Sequence, residues 1–302
     1  MPDNWRGRVT AVILTYRSSA LLDAITATLA CFDHAVVVDN ASGDGLLDEL
    51  RNRFPAGDAS PENLHPSGGG RTGPTHLQCI ASPTNLGYGA GNNLGMRHVR
   101  TPYALILNPD ARIGVEDIAA LIAAAEQFPQ SAIVGARIET DRGEAETSYD
   151  WTYKPDPPVR PYVEPQGILS TRWLYGCCLL VRREAFERLG GFDERFFMYY
   201  EEFDLCGRAV DAGFDVLLEP AARVVHRASS SSLPSLRTRF LKDLHWSRSK
   251  RRYMEKLGLI SRRPWRAWGR VMALGLAGLV YFTLLQGRRG MKMLARAAAE
   301  ID

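Results

Sequence analysis

The chain has 302 residues, of which 45% are hydrophobic and 24% are charged, a composition typical of a folded globular protein and not of a disordered one. The length allows one large α/β domain or two smaller domains, each with a sizeable core. The net charge of +3 excludes no class of partner, but residues 237–302 carry 16 Lys and Arg against 4 Asp and Glu. This basic C-terminal region behind an acidic body predicts an anionic partner surface, either a membrane or a nucleic acid.

The N-terminal residues and the cysteines indicate the compartment. Residues 1–8 contain no apolar segment, so we expect no secretory signal. The five cysteines, none of which forms a C-x-x-C pair, are Cys31, Cys79, Cys177, Cys178 and Cys206. An odd set of thiols without metal-ligand spacing predicts a reduced, cytoplasmic location in which cysteines act as small core residues.

Strands and helices alternate along the first part of the sequence. Residues 9–15, 35–38, 77–81 and 103–107 are short apolar runs, which is typical of strands covered on both faces. Residues 19–31 have apolar side chains at helical spacing and predict a helix between the first two strands.

The alternation continues toward the middle of the chain. Residues 115–128 predict a helix, 132–138 a strand, 173–181 a further apolar segment and 201–212 another helix. Residues 54–75, rich in Gly, Pro and Ser, predict a surface insertion. Together these elements predict an α/β fold with a Rossmann-type, mostly parallel sheet and helices on both faces.

Three polar clusters follow predicted strands, at residues 39–42, 85–93 and 108–110. Ligands of parallel sheets bind at the carboxyl ends of the strands, so these clusters are expected to converge on one binding site. In the second cluster, three alternate glycines precede a helix, which suits the close approach of a phosphate to backbone N–H groups. A dinucleotide loop is disfavoured because its glycines would follow the first strand, and a turn without a ligand stays open.

Carboxylates in two places could carry chemistry. Asp110 with Asn108 could hold a divalent cation, although Asp110 could instead only cap the next helix. Glu201, Glu202 and Asp204 begin a predicted helix, where acidic residues commonly offset the helix dipole. Flanking aromatic residues would bury part of this acidic group, and a carboxylate beside an apolar wall is a plausible general base.

Seven segments, in this order, resemble the motifs of family 2 glycosyltransferases of the GT-A fold, especially the rhamnosyltransferase-like branch of bacterial polysaccharide assembly. The segments are VILTY (12–16), VVDNASGD (37–44), NLGYGAGNN (85–93), LNPD (107–110), GCCLLVRR (176–183), GGFDERFF (190–197) and EEFD (201–204). The resemblance extends from Val9 to about Ser232.

The resemblance implies a nucleotide-sugar site. The residues it assigns to the donor are Thr15, Tyr16, Asp39, Asn40, Ser42, Asp44, Asn85, Gly87, Gly89, Asn92, Asn108 and Asp110. It implies that Asp110 ligates Mg²⁺ or Mn²⁺ at the diphosphate, with His226 as a second ligand. Asn108 replaces the first aspartate of a full D-x-D motif, a form that this branch often has.

The resemblance also implies an inverting transfer of a sugar from dTDP-rhamnose or a UDP-sugar to a hydroxyl of a glycan or lipid-linked acceptor, in cell-surface polysaccharide assembly. Glu202 occupies the position at which the family usually has an aspartate as base. The extra methylene changes the reach of the side chain, so Glu201 and Asp204 stay open as alternatives. We place the catalytic domain at residues 1–235.

The C-terminal region, residues 236–302, is expected to be a helical, basic, membrane-associating tail. Residues 271–287 are uncharged and flanked by arginines, and as a helix they would span about 26 Å, less than the ~30 Å of a bilayer core. Positive charge on both sides disfavours a simple crossing and favours a helix in the interface or a re-entrant hairpin, peripheral at the inner face of the plasma membrane. A buried core or dimer helix is the alternative.

Nucleic acid is disfavoured as a partner because it does not explain the apolar run in this tail. Two other classes of function stay open for the whole chain. One is a non-catalytic nucleotide-sugar or membrane-binding module, and the other is an NAD-dependent oxidoreductase.

Overall fold

The computed structural model describes residues 5–55, 73–146, 148–150, 165–226, 236–260, 271–278 and 287–299. The described residues form two compact units. The first lies within Met1–Asp193 and Glu202–Ser231, and the second within Glu194–Glu201 and Ser232–Asp302.

The first unit is built on a large mixed sheet. Its strands are β1 (Val9–Thr15), β2 (His34–Asp39), β3 (His76–Ala81), β4 (Tyr103–Leu107), β5 (Ala111–Ile113), β6 (Ser131–Glu139), β7 (Ala145–Glu146), β9 (Leu169–Ser170), β11 (Cys178–Arg182) and β12 (Asp215–His226), while β8 (Tyr149–Asp150) and β10 (Trp173–Leu174) form a separate pair. The order across the sheet is β3-β2-β1-β4-β11-β6-β12-β5, with β7 on β6 and β9 on β12. Strands β3, β2, β1 and β4 are parallel, and so are β6 and β12.

The helices of the first unit cover both faces of this sheet. They are α1 (Leu22–Leu29), α2 (Leu46–Arg53), α3 (Tyr88–Met96), α4 (Val115–Gln127), α5 (Arg183–Arg188) and α6 (Glu201–Asp211), whose first residue belongs to the second unit. Strand β4 shows the two faces directly, because Leu105 and Leu107 join the core beneath α1, α2 and α4. Ala104 and Ile106 alternate with them and join the core beneath α3, α5 and α6.

The predicted α/β fold is confirmed, including its mostly parallel, doubly covered sheet and its helical C-terminal region. The sheet is more mixed than the simplest expectation, because β11 pairs antiparallel with both β4 and β6, and the short strands β5, β7 and β9 are also antiparallel to their neighbours. The apolar segment 173–181 is also not one strand, since a turn at Tyr175–Cys177 separates β10 from β11. Of the predicted insertion at 54–75, residues 56–72 lie outside the described residues.

The second unit contains α7 (Leu236–Lys256), α8 (Gly287–Ala299) and the helical residues 271–278. Leu244 of α7 packs against Ala295 and Ala299 of α8. Within the ranges that the structure describes, no helix is both long enough and apolar enough to cross a bilayer. The predicted tail helix at 271–287 is described only in part, since residues 279–286 lie outside the described residues.

Candidate active site

The turns that follow β1 and β2 are joined to each other at the carboxyl edge of the sheet. The backbone N–H of Arg17 donates to Ser42 Oγ at 2.8 Å, and that of Ser19 donates to Asp44 Oδ2 at 2.9 Å. Both turns contain a non-glycine residue in the left-handed region, Arg17 with φ 54° and Ala41 with φ 64°. Ser42 and Asp44, which the resemblance assigns to the donor, therefore shape this edge with their side chains.

Asp39 and Thr15 end the two central strands. Both carboxylate oxygens of Asp39 accept the backbone N–H of Ser42, at 3.2 and 3.1 Å. The hydroxyl of Thr15 is fully buried and donates to the carbonyl of Val38 at 3.1 Å. Thr15 thus joins the two strands, whereas Tyr16, the next residue, has an exposed ring with the Arg17 guanidinium 5.3 Å from its centre.

Asn40 connects the turn after β2 to the glycine-rich segment. Its Oδ1 accepts the N–H of Leu86 at 2.8 Å, and its Nδ2 donates to Asn85 Oδ1 at 3.0 Å and to the carbonyl of Gly87 at 3.2 Å. Asn40 is 3% exposed, so its amide is used to hold this segment in place. Asn85 also accepts the N–H of Gly87, at 3.0 Å.

The glycines of residues 85–95 serve different purposes. Gly87 has φ 83° and ψ −176°, a conformation that is essentially restricted to glycine, and it lies directly before the first residue of α3. A Cβ on Gly91 would lie 2.5 Å from a methyl carbon of Leu14, so a larger residue there would displace the Leu14 side chain where α3 packs on β1. Gly89 and Asn92 are buried in α3, and Asn92 donates to the carbonyl of Tyr88 at 3.0 Å.

Asp110 and His226, which the resemblance assigns to one metal site, lie together at the end of the sheet. Asp110 follows β4, His226 ends β12, and Asp110 Oδ1 lies 3.4 Å from His226 Nε2. Asn108 Nδ2 lies 3.4 Å from the same imidazole nitrogen. Both members of the pair are less than a tenth exposed, but within the described ranges no group of three or more His, Cys, Asp or Glu could hold a metal ion.

Glu202 lies beside Gly176, in the turn between β10 and β11. A Cβ added to Gly176 would lie 3.4 Å from Glu202 Cβ, so the glycine is in direct contact distance of this side chain. Glu202 Oε2 is buried and has no hydrogen-bond partner among the described residues. Burial raises the pKa of Glu202 to about 7, against a smaller lowering effect of a backbone hydrogen bond. A carboxyl group with such a pKa exchanges a proton readily near neutral pH.

The other two carboxylates of α6 have different surroundings. Asp204 is buried and forms an ion pair with Arg208 at 2.7 Å, one turn further along the helix. Arg208 also donates to the carbonyls of Leu189 and Gly191, at 2.6 and 2.7 Å. These bonds indicate that Asp204 anchors the turn before residue 192, while Glu201, 4% exposed, begins the helix.

Sequence reasoning assigned no role to Asn93, Arg208, Tyr88 or Tyr175. Asn93 donates to the carbonyl of Phe192 and accepts its N–H, both at 2.9 Å, and this pair of bonds fixes the turn at residues 190–192. The hydroxyl of Tyr88 donates to the carbonyl of Gly176 at 2.5 Å, next to Glu202. Only Arg208 left a signal in the sequence, because an aspartate and an arginine four residues apart on a helix commonly pair.

An exposed aromatic ring lies between the Asp110–His226 pair and the second, two-stranded sheet. Tyr175 is 38% exposed. The centre of its ring lies 5.9 Å from that of His226 and 6.5 Å from that of Trp173. Phe203 stacks on the other side of Trp173 at 4.4 Å. Cys206 is fully buried, and burial raises the pKa of its thiol to about 12, which keeps it protonated.

The fold is similar to that of solved glycosyltransferases. A mannosyltransferase from Pyrobaculum calidifontis, solved in complex with GDP-Man and Mn²⁺, gives a TM-score of 0.55 at 16% identity, over 97% of this chain and 87% of its own. The architecture is therefore that of the GT-A-like glycosyltransferases.

The sequence comparison gives the family. Residues 10–190 match the model of glycosyl transferase family 2, and the chain belongs to this family. The N-acetylglucosaminyl-diphospho-decaprenol L-rhamnosyltransferase of Mycobacterium tuberculosis is 27% identical over 260 residues, covering 73% of this chain and 76% of that protein. Rhamnosyltransferase WbbL of Escherichia coli is 28% identical over 200 residues, covering 59% of this chain and 73% of its own.

These findings confirm the predicted family and its rhamnosyltransferase-like branch. The protein is a glycosyltransferase with a nucleotide-sugar donor, and the oxidoreductase and non-catalytic alternatives are set aside.

Proposed function

We propose that the protein transfers a rhamnosyl group, with inversion, from dTDP-rhamnose to a hydroxyl of a lipid-linked acceptor in cell-surface polysaccharide assembly. Support for the sugar and the acceptor is the similarity to the mycobacterial and E. coli rhamnosyltransferases, the first of which is named for a diphospho-decaprenol-linked acceptor. A UDP-sugar is the alternative donor. The domain that carries the reaction is residues 1–235.

The donor site in this proposal lies on the joined turns after β1 and β2. In this site the exposed ring of Tyr16 would contact the nucleobase of the donor, and Asp39 lies at the end of β2, the strand next to β1. The segment that begins α3 lies next to these turns through the hydrogen bonds of Asn40. Its backbone N–H groups at the N-terminus of α3 suit a diphosphate.

The metal in this proposal is Mg²⁺ or Mn²⁺, held by Asp110 and His226. Their carboxylate oxygen and imidazole nitrogen lie 3.4 Å apart at the end of the sheet, and the carboxylate is of the ligand type that such ions prefer. The remaining ligands would be diphosphate oxygens, water or the amide of Asn108, because the described residues supply no third His, Cys, Asp or Glu. When bound, a divalent cation stabilises the charge that develops on the departing nucleoside diphosphate.

The observation that carries the proposal is the carboxylate of Glu202, buried beside Gly176 with a pKa raised to about 7. In its ionised form it accepts the proton of the acceptor hydroxyl while the acceptor oxygen attacks the anomeric carbon. The bond from that carbon to the diphosphate oxygen breaks, and the electron pair leaves with the nucleoside diphosphate. Attack opposite the leaving group inverts the configuration.

The location in this proposal is the inner face of the plasma membrane, with residues 236–302 as the contact region. Met272 and Leu276, four residues apart on one helical segment, are 63% and 60% exposed. Arg288, Arg289 and Lys292 are exposed on α8. Exposed apolar and basic side chains together suit an anionic lipid surface.

Thermal unfolding with added nucleotides tests the donor site. The purified protein is melted with dTDP, UDP, GDP or NAD⁺, each with Mn²⁺, with Mg²⁺ or with EDTA. A nucleotide at a hundred times its Kd stabilises by about 2.7 kcal/mol, which raises the Tm measurably. We expect a rise with dTDP that disappears in EDTA and in Asp110→Asn. If only UDP raises the Tm, the donor is a UDP-sugar and not dTDP-rhamnose. If no nucleoside diphosphate raises the Tm, the proposed donor site is contradicted.

Sedimentation with lipid vesicles tests the location. We expect binding to phosphatidylglycerol vesicles, no binding to phosphatidylcholine vesicles, and weaker binding of Arg288→Glu/Lys292→Glu. Equal sedimentation with both lipids, or an unaffected double variant, would contradict the proposed membrane contact.

A further inference from the structure

The segment before α6 has a backbone conformation that its own residues do not favour. Tyr199 and Tyr200, which precede α6 directly, have φ angles of 70° and 69°. The left-handed region is unfavourable for residues other than glycine, because their Cβ approaches the following carbonyl oxygen. Two consecutive tyrosines in this region persist only where the surroundings fix them.

Helix α7 provides those surroundings, and both elements belong to the second unit. The hydroxyl of Ser249, 3% exposed, donates to the carbonyl of Met198 at 2.8 Å. Arg252 donates to the carbonyl of Arg195. Two backbone carbonyls of the segment are therefore held by one face of α7.

Aromatic contacts hold the side chains of the same segment. The ring of Tyr200, 2% exposed, has its centre 5.9 Å from that of Trp246 and 5.6 Å from that of Tyr253. Phe197 stacks on His245 at 4.5 Å. The contacting residues of α7 recur every three or four positions, which is one face of a helix.

We propose that α7 is a positioning element for the transfer reaction: by holding residues 195–200, it sets the start of α6 and hence the location of Glu202, two residues after Tyr200. The inference rests on the proposed role of Glu202 as base. Helix α6 begins at Glu201, so the direction of its first turn depends on the backbone of Tyr199 and Tyr200. The C-terminal region thus serves catalysis as well as membrane contact, and Ser249 and Tyr253 are its positioning residues.

Position matters because a displacement of about 1 Å in a reacting group can lower a rate by about a hundredfold. If the contacts of α7 are weakened, the two tyrosines relax toward ordinary backbone angles and the base departs from the acceptor hydroxyl. The nucleotide contacts, which lie on β1, β2 and α3, do not depend on this segment. The expected signature is a lower kcat at an unchanged Kd for the nucleoside diphosphate.

A matched pair of serines on α7 tests the proposal in the full-length enzyme. Ser249→Ala removes the hydrogen bond to Met198, whereas Ser247→Ala removes one to the carbonyl of Asp243 within α7 itself. We expect Ser249→Ala to lower kcat about tenfold, as the loss of one buried hydrogen bond would. Ser247→Ala should keep the wild-type rate, Ser249→Thr should restore most of the lost rate, and Tyr253→Leu should reproduce the loss.

The outcomes separate this inference from the proposed function. If Ser249→Ala and Tyr253→Leu both keep the kcat of Ser247→Ala while Glu202→Gln is inactive, the positioning role is contradicted and the base assignment stands. If both variants bind dTDP more weakly in proportion to their loss of rate, the contacts maintain the fold in general and the positioning role is again contradicted. If Glu202→Gln retains full transfer activity, the role of Glu202 as base is contradicted and the positioning inference fails with it; if the wild type transfers no sugar from dTDP-rhamnose or a UDP-sugar, the proposed function itself fails.

Discussion

Three carboxylates within four residues differ in chemistry because their neighbours differ. Asp204 forms an ion pair with Arg208, whose guanidinium nitrogen lies 2.7 Å from the carboxylate. Glu202 has a buried oxygen without a partner among the described residues, which favours its neutral form and raises its pKa. Helical spacing predicts an acidic cluster and a pairing of Asp204 with Arg208 four residues on, but only the fold shows that Glu202 faces Gly176.

The raised pKa of Glu202 predicts how the rate depends on pH. A base must be ionised to accept a proton, so kcat/KM for the acceptor should rise tenfold per pH unit below about 7 and level off above it. Rates between pH 5.5 and 9 measure this profile. A profile that is flat from pH 5.5, as an ordinary glutamate would give, contradicts the assignment.

The same burial predicts an opposite trend in stability. Because the folded pKa lies above the ordinary 4.5, the fold loses stability as pH rises from about 4.5 through about 7. Glu202→Gln cannot ionise, so its free energy of unfolding should not show this loss. The difference between the variant and the wild type should therefore grow by up to about 3 kcal/mol between pH 4.5 and pH 8. Urea unfolding of both proteins at the two pH values measures this difference, and a constant difference would contradict the burial of an ionisable carboxyl.

The ion pair of Asp204 predicts a loss of stability without a comparable loss of chemistry. Asp204→Asn should lower the free energy of unfolding by about 2 kcal/mol, because it removes a charged hydrogen bond from a buried group. The matched control is Asp211→Asn on the same helix, whose aspartate is 61% exposed and pairs with Arg172. That variant should cost less than about 0.5 kcal/mol. Equal losses in urea unfolding would contradict an anchoring role for Asp204.

At the scale of elements, the sequence predicted the strands well and the reasons for the glycines poorly. Strands β1 and β4 match residues 9–15 and 103–107, because a short, nearly continuous apolar run is typical of a strand that is buried on both faces. The three alternate glycines of residues 85–93 predicted one phosphate loop. In the structure, a Cβ on Gly91 would displace the Leu14 side chain, and one on Gly95 would lie 2.7 Å from a methyl carbon of buried Val12, so these contacts depend on neighbours distant in sequence.

Gly87 is the glycine whose backbone angles predict a cost for any side chain. Gly87→Ala should destabilise the protein by about 1–3 kcal/mol, since its φ of 83° and ψ of −176° are essentially restricted to glycine. It should also weaken nucleoside diphosphate binding, because the segment would turn away from the edge of the sheet. Gly143→Ala, at φ 77° in an exposed hairpin turn, is the control. It should destabilise the protein without altering the Kd, and equal effects of both variants on the Kd would contradict a donor-site role for this segment.

For the whole molecule, chain order and family motifs predicted the class of fold and the edge that carries the site. They did not predict that β11 runs antiparallel between β4 and β6, because an apolar strand has the same pattern in either direction. They implied that Asp110 and His226 share one metal, but not that β5 and β12 pair at the end of the sheet and so bring the two side chains within 3.4 Å. Nor did they indicate that residues 194–201 form a unit with the C-terminal helices.

The most direct test of the account is the transfer rate of the three carboxylate variants, measured with dTDP-rhamnose and a short-chain polyprenyl diphosphate-linked N-acetylglucosamine. Glu202→Gln should lower kcat by a factor of about 100 to 10,000, the usual contribution of a general base, while the Kd for dTDP is unchanged. Glu201→Gln and Asp204→Asn, assayed as folded protein, should each lose less than about tenfold, since neither transfers the proton. A Glu202→Gln variant that transfers sugar at a rate within tenfold of the wild type, beside an inactive Glu201→Gln or Asp204→Asn, would contradict the account.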